Sequence, residues 1–402
     1  MGKKGTPRRK PGLMGPYVEG FHDSLLVSGY AAGSVRHLLK DMGGLGRWID
    51  REDIAASDLD RAVIEEFLAG LRALGRRRVP GVRSFNPLLE YLRREGVLPA
   101  PAEPSSPVEM LMADYRRWLV VDRGLADPTV LRYEKLAHRF LLERASEGGS
   151  DFVAGLTGVD VIAFLLQEST RVSVGAAKGR VAELRSLLKF LYLTGRTPLP
   201  LATAVPPVAG WRDTGVPVAI TANDVQRLLD SCDRTSPVGI RDHAILMLVA
   251  RLGLRSAEVA RLELAGIDWR SGQIAVQGKG RREDHLPLPR DVGEALAAYL
   301  ARARPATELR QVFLPCKAPV RGIRPDLVSD VTRRACDRAG LPRVGAHRLR
   351  HALATELLRR GAALVEVSQV LRHRDLATTA IYAKVDVDKL RRVALPWPGA
   401  VR

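Results

Sequence analysis

The chain has 402 residues, enough for two or three domains that each bury a core. Its formal net charge is +18 with a pI near 10.3, and 46% of its residues are hydrophobic while 5% are aromatic. The charge favours a polyanionic partner, with nucleic acid ahead of membrane. No apolar run reaches the roughly twenty residues that span a bilayer, and no apolar segment follows the basic N-terminus as in a signal peptide.

Three cysteines, Cys232, Cys316 and Cys336, lie far apart and lack metal-ligand spacing. We interpret them as free thiols and expect a cytoplasmic protein, because disulfides are rare in a reducing compartment. Residues 1–16 are basic and rich in Gly and Pro, which predicts a disordered arm.

Residues 17–100 are predicted to form a module of short helices, followed by a Pro-rich linker at 101–107. Residues 108–198 repeat this pattern. The run LLEYL that begins at Leu88 returns as LLKFL at Leu187, which indicates an internal duplication. The alternative is that two all-helical stretches share leucine spacing by chance.

The first module carries many arginines, which favour DNA contact over a merely solvated face. The residues that we take as its DNA-binding candidates are Arg76, Arg77 and Arg78.

A second linker is predicted at 199–217, and the composition then changes. Thr221 and Asp224 predict a capped helix start. The run QIAVQGKGRREDHLPL predicts a β-hairpin with Lys279 at its turn. Further helices are predicted at about 291–303, 325–339, 346–359, 363–371 and 376–383. The expected fold is mainly α, with a β-hairpin or small three-stranded sheet in a mixed α+β C-terminal domain.

One helix face carries the candidate chemistry. His347, Arg350 and His351 stand at i, i+3 and i+4, so they project from the same side of their helix. His373 and Tyr382 follow within one short run. Two imidazoles, a guanidinium and a phenol without acidic metal ligands indicate chemistry on a phosphodiester. Zinc is the alternative for the His pair, but HRLRH lacks the glutamate of HExxH.

Four motifs in order resemble the tyrosine recombinases of the phage-integrase family. They are LGLRSAE with Arg255, VQGKGRREDHLPL with Lys279, HRLRH with His347 and Arg350, and LRHRDLATTAIY with His373 and Tyr382. The resemblance implies that residues 218–385 form a catalytic domain and residues 108–196 a core-binding domain. It also implies that the tail, 386–402, docks on a neighbouring subunit.

The resemblance implies that Arg255 and Arg350 hold the non-bridging oxygens of the scissile phosphate, as guanidinium forks can. Tyr382 would be the nucleophile that forms a covalent 3′-phosphotyrosine. Lys279 would protonate the departing 5′ oxygen.

The imidazoles complete the implied site. His347 would hold the phenolic proton, and His373 would hydrogen-bond the phosphoryl oxygens. Glu258 and His351 are interpreted as supporting residues, and Arg281 and Arg282 as further DNA contacts. The cationic side chains would replace divalent cations, so we expect neither metal nor cofactor.

Two positions depart from the family pattern. Arg372 stands where the last box usually has Gly before its His, which leaves the local turn open. The arginine box reads Arg255-Ser256-Ala257-Glu258, where Ser more often directly precedes the acid.

We therefore expect a recombinase of the integrase or transposase kind, of the type found in mobile genetic elements. It would act on double-stranded recombination sites as a homo-oligomer, a tetramer in the synapse, alone or alongside sister recombinases and without a membrane. Two alternatives stay open: a type IB topoisomerase-like enzyme, and a DNA-binding relic without catalysis.

Overall fold

The computed structural model describes residues 12–76, 78–99, 106–148, 152–207, 220–278 and 283–372. It divides into two compact units, residues 99–214 and residues 1–98 together with 215–402. The described residues are mostly helical and include one three-stranded antiparallel sheet, which confirms the predicted fold class. None of the described helices is long and apolar enough to cross a membrane.

The first module (residues 12–98) packs four helices around an apolar core. They are α1 (Val18–Val27), α2 (Ala32–Arg51), α3 (Arg61–Ala73) and α4 (Asn86–Arg94). Phe67 and Phe85 meet edge to face in this core, with ring centroids 6.1 Å apart.

The prediction of a disordered arm over residues 1–16 is wrong for residues 12–16. Gly12–Tyr17 forms a 3-10 helix, and the side chain of Met14 is fully buried in the core of the first module. Burial of this apolar side chain stabilises the segment against the module. Residues 1–11 lie outside the described residues.

The second module (residues 106–207) has the same four-helix plan. Its helices are α5 (Pro107–Val120), α6 (Asp127–Gly148), α7 (Gly158–Thr170) and α8 (Val174–Leu193). Its core continues into the predicted linker, because Leu201 and Val205 are buried among the helices. The chain therefore leaves this module later than the linker predicted at 199–217 suggests.

Two carboxylates are buried in the second module, Glu168 with 1% and Glu183 with 3% of the residue exposed. Arginines from helices α6 and α8 and from the α7–α8 turn surround them. The pairs are Glu168 with Arg139, Arg171 and Arg180, and Glu183 with Arg132 and Arg180. Pairing offsets the cost of removing the carboxylates from water.

The C-terminal segment (residues 220–372) begins with a capped helix, as predicted. The Thr221 hydroxyl accepts from the Asp224 N–H at 3.0 Å, and the Asp224 carboxylate accepts from the Thr221 N–H at 3.3 Å. The first helices are α9 (Ala222–Asp230), α10 (Pro237–Leu252) and α11 (Ser256–Arg261). Helix α10 is buried along most of its length and forms the centre of this core.

The predicted hairpin is confirmed as an antiparallel strand pair. The strands are β1 (Ile267–Asp268), β2 (Gln273–Gln277) and β3 (Glu283–Pro287), in the order β1-β2-β3. Ile274 and Val276 of β2 face the core while their neighbours face outward. The predicted turn residues 279–282 lie outside the described residues.

The remaining helices match the predictions to within one residue at each end. They are α12 (Arg290–Arg302), α13 (Pro325–Ala339), α14 (Ala346–Arg359) and α15 (Leu364–Leu371). Leu358, Val367 and Leu371 join α14 to α15 in a small core of their own. The helix predicted at 376–383 lies outside the described residues.

Candidate active site

Gly253 ends helix α10 and sets the close packing of the site. Its φ of +60° is favourable for glycine. A Cβ at this position would lie 2.9 Å from Leu371 Cδ2 and 3.1 Å from Leu353 Cδ2. The absence of a side chain therefore lets the end of α10 lie directly against α14 and α15.

Arg255 follows two residues later, at the start of α11. Glu258 accepts hydrogen bonds from the backbone N–H of Arg255 at 2.9 Å and from its Nη1 at 2.7 Å. The Arg255 side chain is 43% exposed, whereas that of Glu258 is 3% exposed. The first turn of α11 thus holds a guanidinium at the surface by means of a buried carboxylate.

Burial raises the pKa of the Glu258 carboxyl. The hydrogen bond from the Arg255 backbone and the charges of Arg372 and Arg255 outweigh that effect, so the pKa lies below its ordinary value. Glu258 is therefore a stable anion at neutral pH, which fits an orienting partner and not a reacting acid.

Arg350 lies on α14 and is 1% exposed. Its Nη1 donates to the carbonyl of Gly253 and its Nη2 to the carbonyl of Leu371. Both carbonyls stand at the C-terminal ends of helices, where the helix dipole attracts a cation. Main-chain acceptors therefore compensate this buried charge.

Arg255 and Arg350 converge on the same turn. The Nη2 of Arg255 donates to the carbonyl of Arg372 at 3.2 Å, next to the Leu371 carbonyl that binds Arg350. Two guanidinium groups from separate segments thus bind consecutive carbonyls at the end of α15. This arrangement concentrates positive charge immediately before residue 373 in the chain.

His347 and His351 are neighbours on α14, with ring centroids 4.2 Å apart in an edge-to-face arrangement. Burial lowers the pKa of His347, and the charges of Arg350, Arg255 and Arg348 lower it further. Its imidazole is therefore neutral at neutral pH and can accept a proton.

Of the other predicted site residues, only two lie within the part of the chain that the structure describes. Arg76 and Arg78 are exposed on the surface that follows α3. The remaining candidates lie outside the described residues: Arg77, Lys279, Arg281, Arg282, His373 and Tyr382.

Arg372 contributes in a way that sequence reasoning missed. Its Nη2 lies 2.6 Å from Glu258 Oε2, and 8% of its side chain is exposed. The one signal in the sequence is its position, since it stands where Gly is usual after the helix. That signal marks a left-handed turn but does not reveal where the side chain goes.

The sequence matches the model of the phage integrase family over residues 219–389. Relatives are similar over much or nearly all of the chain. The protein y4rA of Sinorhizobium fredii (strain NBRC 101917 / NGR234), to which an integrase/recombinase role is provisionally assigned, is 40% identical and aligns over 98% of this chain and 96% of its own. The tyrosine recombinase XerD of Mycobacterium tuberculosis (strain ATCC 25618 / H37Rv) is 32% identical over 71% of this chain and 95% of its own.

A solved structure shares the fold. The XerH site-specific recombinase, in a post-cleavage complex with a palindromic difH substrate, superposes with a TM-score of 0.53 at 16% identity. The match covers 95% of this chain and 94% of that one. The motifs, the fold and the extended similarity to y4rA agree, and the chain belongs to the phage integrase family of tyrosine recombinases.

Proposed function

We propose that this protein is a site-specific DNA recombinase, which cleaves and rejoins duplex DNA through a covalent 3′-phosphotyrosine at Tyr382. The observation that supports this most strongly is the convergence of Arg255 and Arg350 on consecutive carbonyls beside a neutral His347. Clustered guanidinium groups are suited to a phosphodiester that gains charge on its non-bridging oxygens during attack.

The two arginines have different access to the substrate. Arg255 is 43% exposed and can meet a phosphate directly. Arg350 is 1% exposed, so a phosphate can contact it only after the surrounding residues rearrange on DNA binding. Once the phosphate is bound, main-chain carbonyls keep both guanidinium groups oriented, so little further reorganisation is needed when charge develops.

The proposed reaction exchanges one phosphorus–oxygen bond for another. The phenolic oxygen of Tyr382 bonds to phosphorus while the bond to the 5′ oxygen breaks. His347 takes the phenolic proton, and Lys279 gives a proton to the leaving oxygen. His373 would hydrogen-bond the phosphoryl oxygens. The reverse steps rejoin the strand, so no external energy source is consumed.

The proposed partners are two duplex recombination sites and further copies of this chain. The net charge of +18 suits a polyanion, and the related XerH was solved with a DNA substrate. We propose that copies assemble as a tetramer on paired sites through the tail at 386–402.

Covalent trapping tests this function. A nicked suicide duplex loses a short strand fragment after cleavage, so the adduct accumulates and is counted on a denaturing gel. We expect an adduct with the wild type and with Tyr192→Phe, a control at an exposed tyrosine of α8. We expect none with Tyr382→Phe, which should still bind DNA because the cationic side chains remain.

An adduct in Tyr382→Phe would place the nucleophile elsewhere, and no adduct with the wild type would refute the proposed chemistry. A second measurement separates recombination from topoisomerase action. Two differently labelled duplexes with the same site should exchange strands in the presence of a recombinase, whereas a topoisomerase would only relax supercoils.

A further inference from the structure

Arg372 has a backbone conformation that is unfavourable for its residue type. Its φ is 54° and its ψ is 48°, in the left-handed region. Among the described residues other than glycine, only Asp53 also has a positive φ. This conformation costs an L-residue about 1–2 kcal/mol relative to the right-handed one. An interaction of the Arg372 side chain can offset this cost.

The side chain provides that interaction through a buried ion pair. Arg372 Nη2 lies 2.6 Å from Glu258 Oε2, and both side chains are less than one-tenth exposed. The other carboxylate oxygen, Oε1, binds Arg255 Nη1 at 2.7 Å. Glu258 is thus shared between two guanidinium groups, of which Arg372 is buried and Arg255 is accessible.

This sharing changes the charge that Arg255 presents. One carboxylate paired with one guanidinium has no net charge, whereas one carboxylate between two guanidinium groups has a net charge of +1. At the short distances involved, such a difference acts on a phosphate that contacts Arg255. Arg372 also supplies the carbonyl that accepts from Arg255 Nη2 at 3.2 Å.

We propose that Arg372 is a positioning residue for Arg255: its guanidinium offsets Glu258 from the buried side, and its main chain fixes the outer guanidinium. The group of Arg255, Glu258 and Arg372 then retains a net positive charge, and Arg255 keeps its orientation toward the scissile phosphate. This inference rests on the proposed function, in which Arg255 contacts that phosphate.

The first test uses single-turnover cleavage of the nicked suicide duplex. Arg372→Gly removes the guanidinium but suits the left-handed backbone, so the variant should fold. We expect cleavage to slow by roughly tenfold, the factor that about 1.4 kcal/mol of transition-state stabilisation provides. Arg372→Lys keeps the charge and should recover part of the rate. The double variant Glu258→Gln/Arg372→Gly should also cleave faster than Arg372→Gly, because the uncompensated carboxylate is gone.

Asp53→Gly is the matched control, because it relieves the other left-handed residue in an exposed position of the first module. It should leave the cleavage rate unchanged. Wild-type cleavage by Arg372→Gly would overturn the proposal. So would a double variant that is no faster than Arg372→Gly.

The second test needs no cleavage and so separates this proposal from the proposed function. The His347 imidazole is titrated by NMR in the DNA-free protein and assigned with His347→Gln. The charges around it are Arg350 and Arg348 on its own helix and Arg255 from α11, and the His351 ring lies against it. In Arg372→Gly the unshared Glu258 should offset Arg255 more fully, so the pKa of His347 should rise and then return in the double variant. An unchanged pKa of His347 would show that Arg372 does not control the net charge around Arg255. This outcome is independent of whether the protein cuts DNA.

Discussion

The first and second modules share a four-helix plan but differ in whether they bury charged side chains. In the last helix of each, the same four positions are buried: Leu88, Leu89, Tyr91 and Leu92 in α4, and Leu187, Leu188, Phe190 and Leu191 in α8. Between residues 12 and 98, every described charged side chain is at least partly exposed. The second module instead buries Glu168 and Glu183 among arginines.

The difference shows which property the two modules share and which one differs between them. Apolar positions along α4 and α8 determine the core, and they are the same in both. Ion pairs of the first module, such as Arg61 with Glu65 at 2.9 Å, lie in solvent and contribute little. We therefore expect the arginines that pair with Glu168 and Glu183 to be held in fixed orientations, and those of the exposed pairs in the first module to be mobile.

The largest expected effect comes from removing the first module. Deletion of residues 1–104 should weaken DNA binding and flatten the dependence of log affinity on log salt, by about 0.9 for each phosphate that the shortened protein no longer neutralises. Affinity is measured by fluorescence anisotropy over a salt series. Equal slopes for the two proteins would instead assign this module to protein contacts. Neutralising Arg76 and Arg78 together in the full chain should reproduce part of the change, by about 1.8 if both bind phosphate.

The next effect concerns the buried carboxylates. Glu168→Gln leaves three arginines without their shared anion and should destabilise the second module by about 3 kcal/mol. Glu65→Gln in the first module breaks an exposed pair and should cost less than about 1 kcal/mol. Hydrogen exchange of the full-length chain, followed in peptides from α7 and α3, measures both. Equal losses of protection would remove the distinction between fixed and mobile arginines.

A smaller effect should be the same in both modules. Gly96 and Gly195 follow α4 and α8 with φ values of 71° and 69°, and a Cβ at either would meet no neighbouring atom. Alanine at each should therefore cost only the left-handed penalty of about 1 kcal/mol. Gly81→Ala, at φ −81° in open space, is the control and should be neutral or slightly stabilising. Hydrogen exchange measures the loss of stability at each position. Different losses for Gly96→Ala and Gly195→Ala would show that the ends of α4 and α8 are not equivalent.

The smallest effect is a pH dependence at the start of α7. The hydrogen bond from the Thr157 hydroxyl, and then that from the Thr157 backbone, lowers the pKa of Asp160. Its stabilisation is therefore full above the unfolded pKa of 3.8 and is lost as the pH falls through the lower folded value. Asp160→Asn should cost about 0.5 kcal/mol near neutral pH, and the difference from wild type should shrink in acid.

Thermal melting between pH 2.5 and 7 measures this effect. Asp60→Asn removes the carboxylate at the start of α3 and is the corresponding substitution in the first module, measured for comparison. A difference between wild type and Asp160→Asn that stays constant over this range would show that the ionised carboxylate is not the source.

Much of the fold could be predicted because local signals agreed with the tertiary structure. The ends of α13 follow from Pro325 at its first position and Gly340 at its C-cap, and its buried residues recur with helical periodicity. The arginine and histidine boxes could be located because their residue types and order are specific to one chemistry. These features depend on the near neighbours of each residue in the chain.

The rest depends on contacts between distant segments. A glutamate on a helix is usually exposed, and only the packing of α6 against α8 buries Glu183. Met14 joins a core that its own basic segment does not indicate. The Arg372 side chain reaches Glu258 across 114 positions of the chain, and no local pattern encodes that distance.

The carbonyls that bind Arg255 and Arg350 have a consequence for divergence of the sequence. Acceptors at Gly253, Leu371 and Arg372 belong to the main chain, so they survive any substitution that preserves the path of the backbone. Exposed side chains on α15 can therefore drift freely while both guanidinium groups keep their partners. Tolerance to mutation should end abruptly at Gly253, where a side chain has no room, and at proline substitutions that bend the last turn of α15. A saturation library at the exposed positions 364, 365, 369 and 370 of α15 should therefore tolerate most side chains and reject mainly proline.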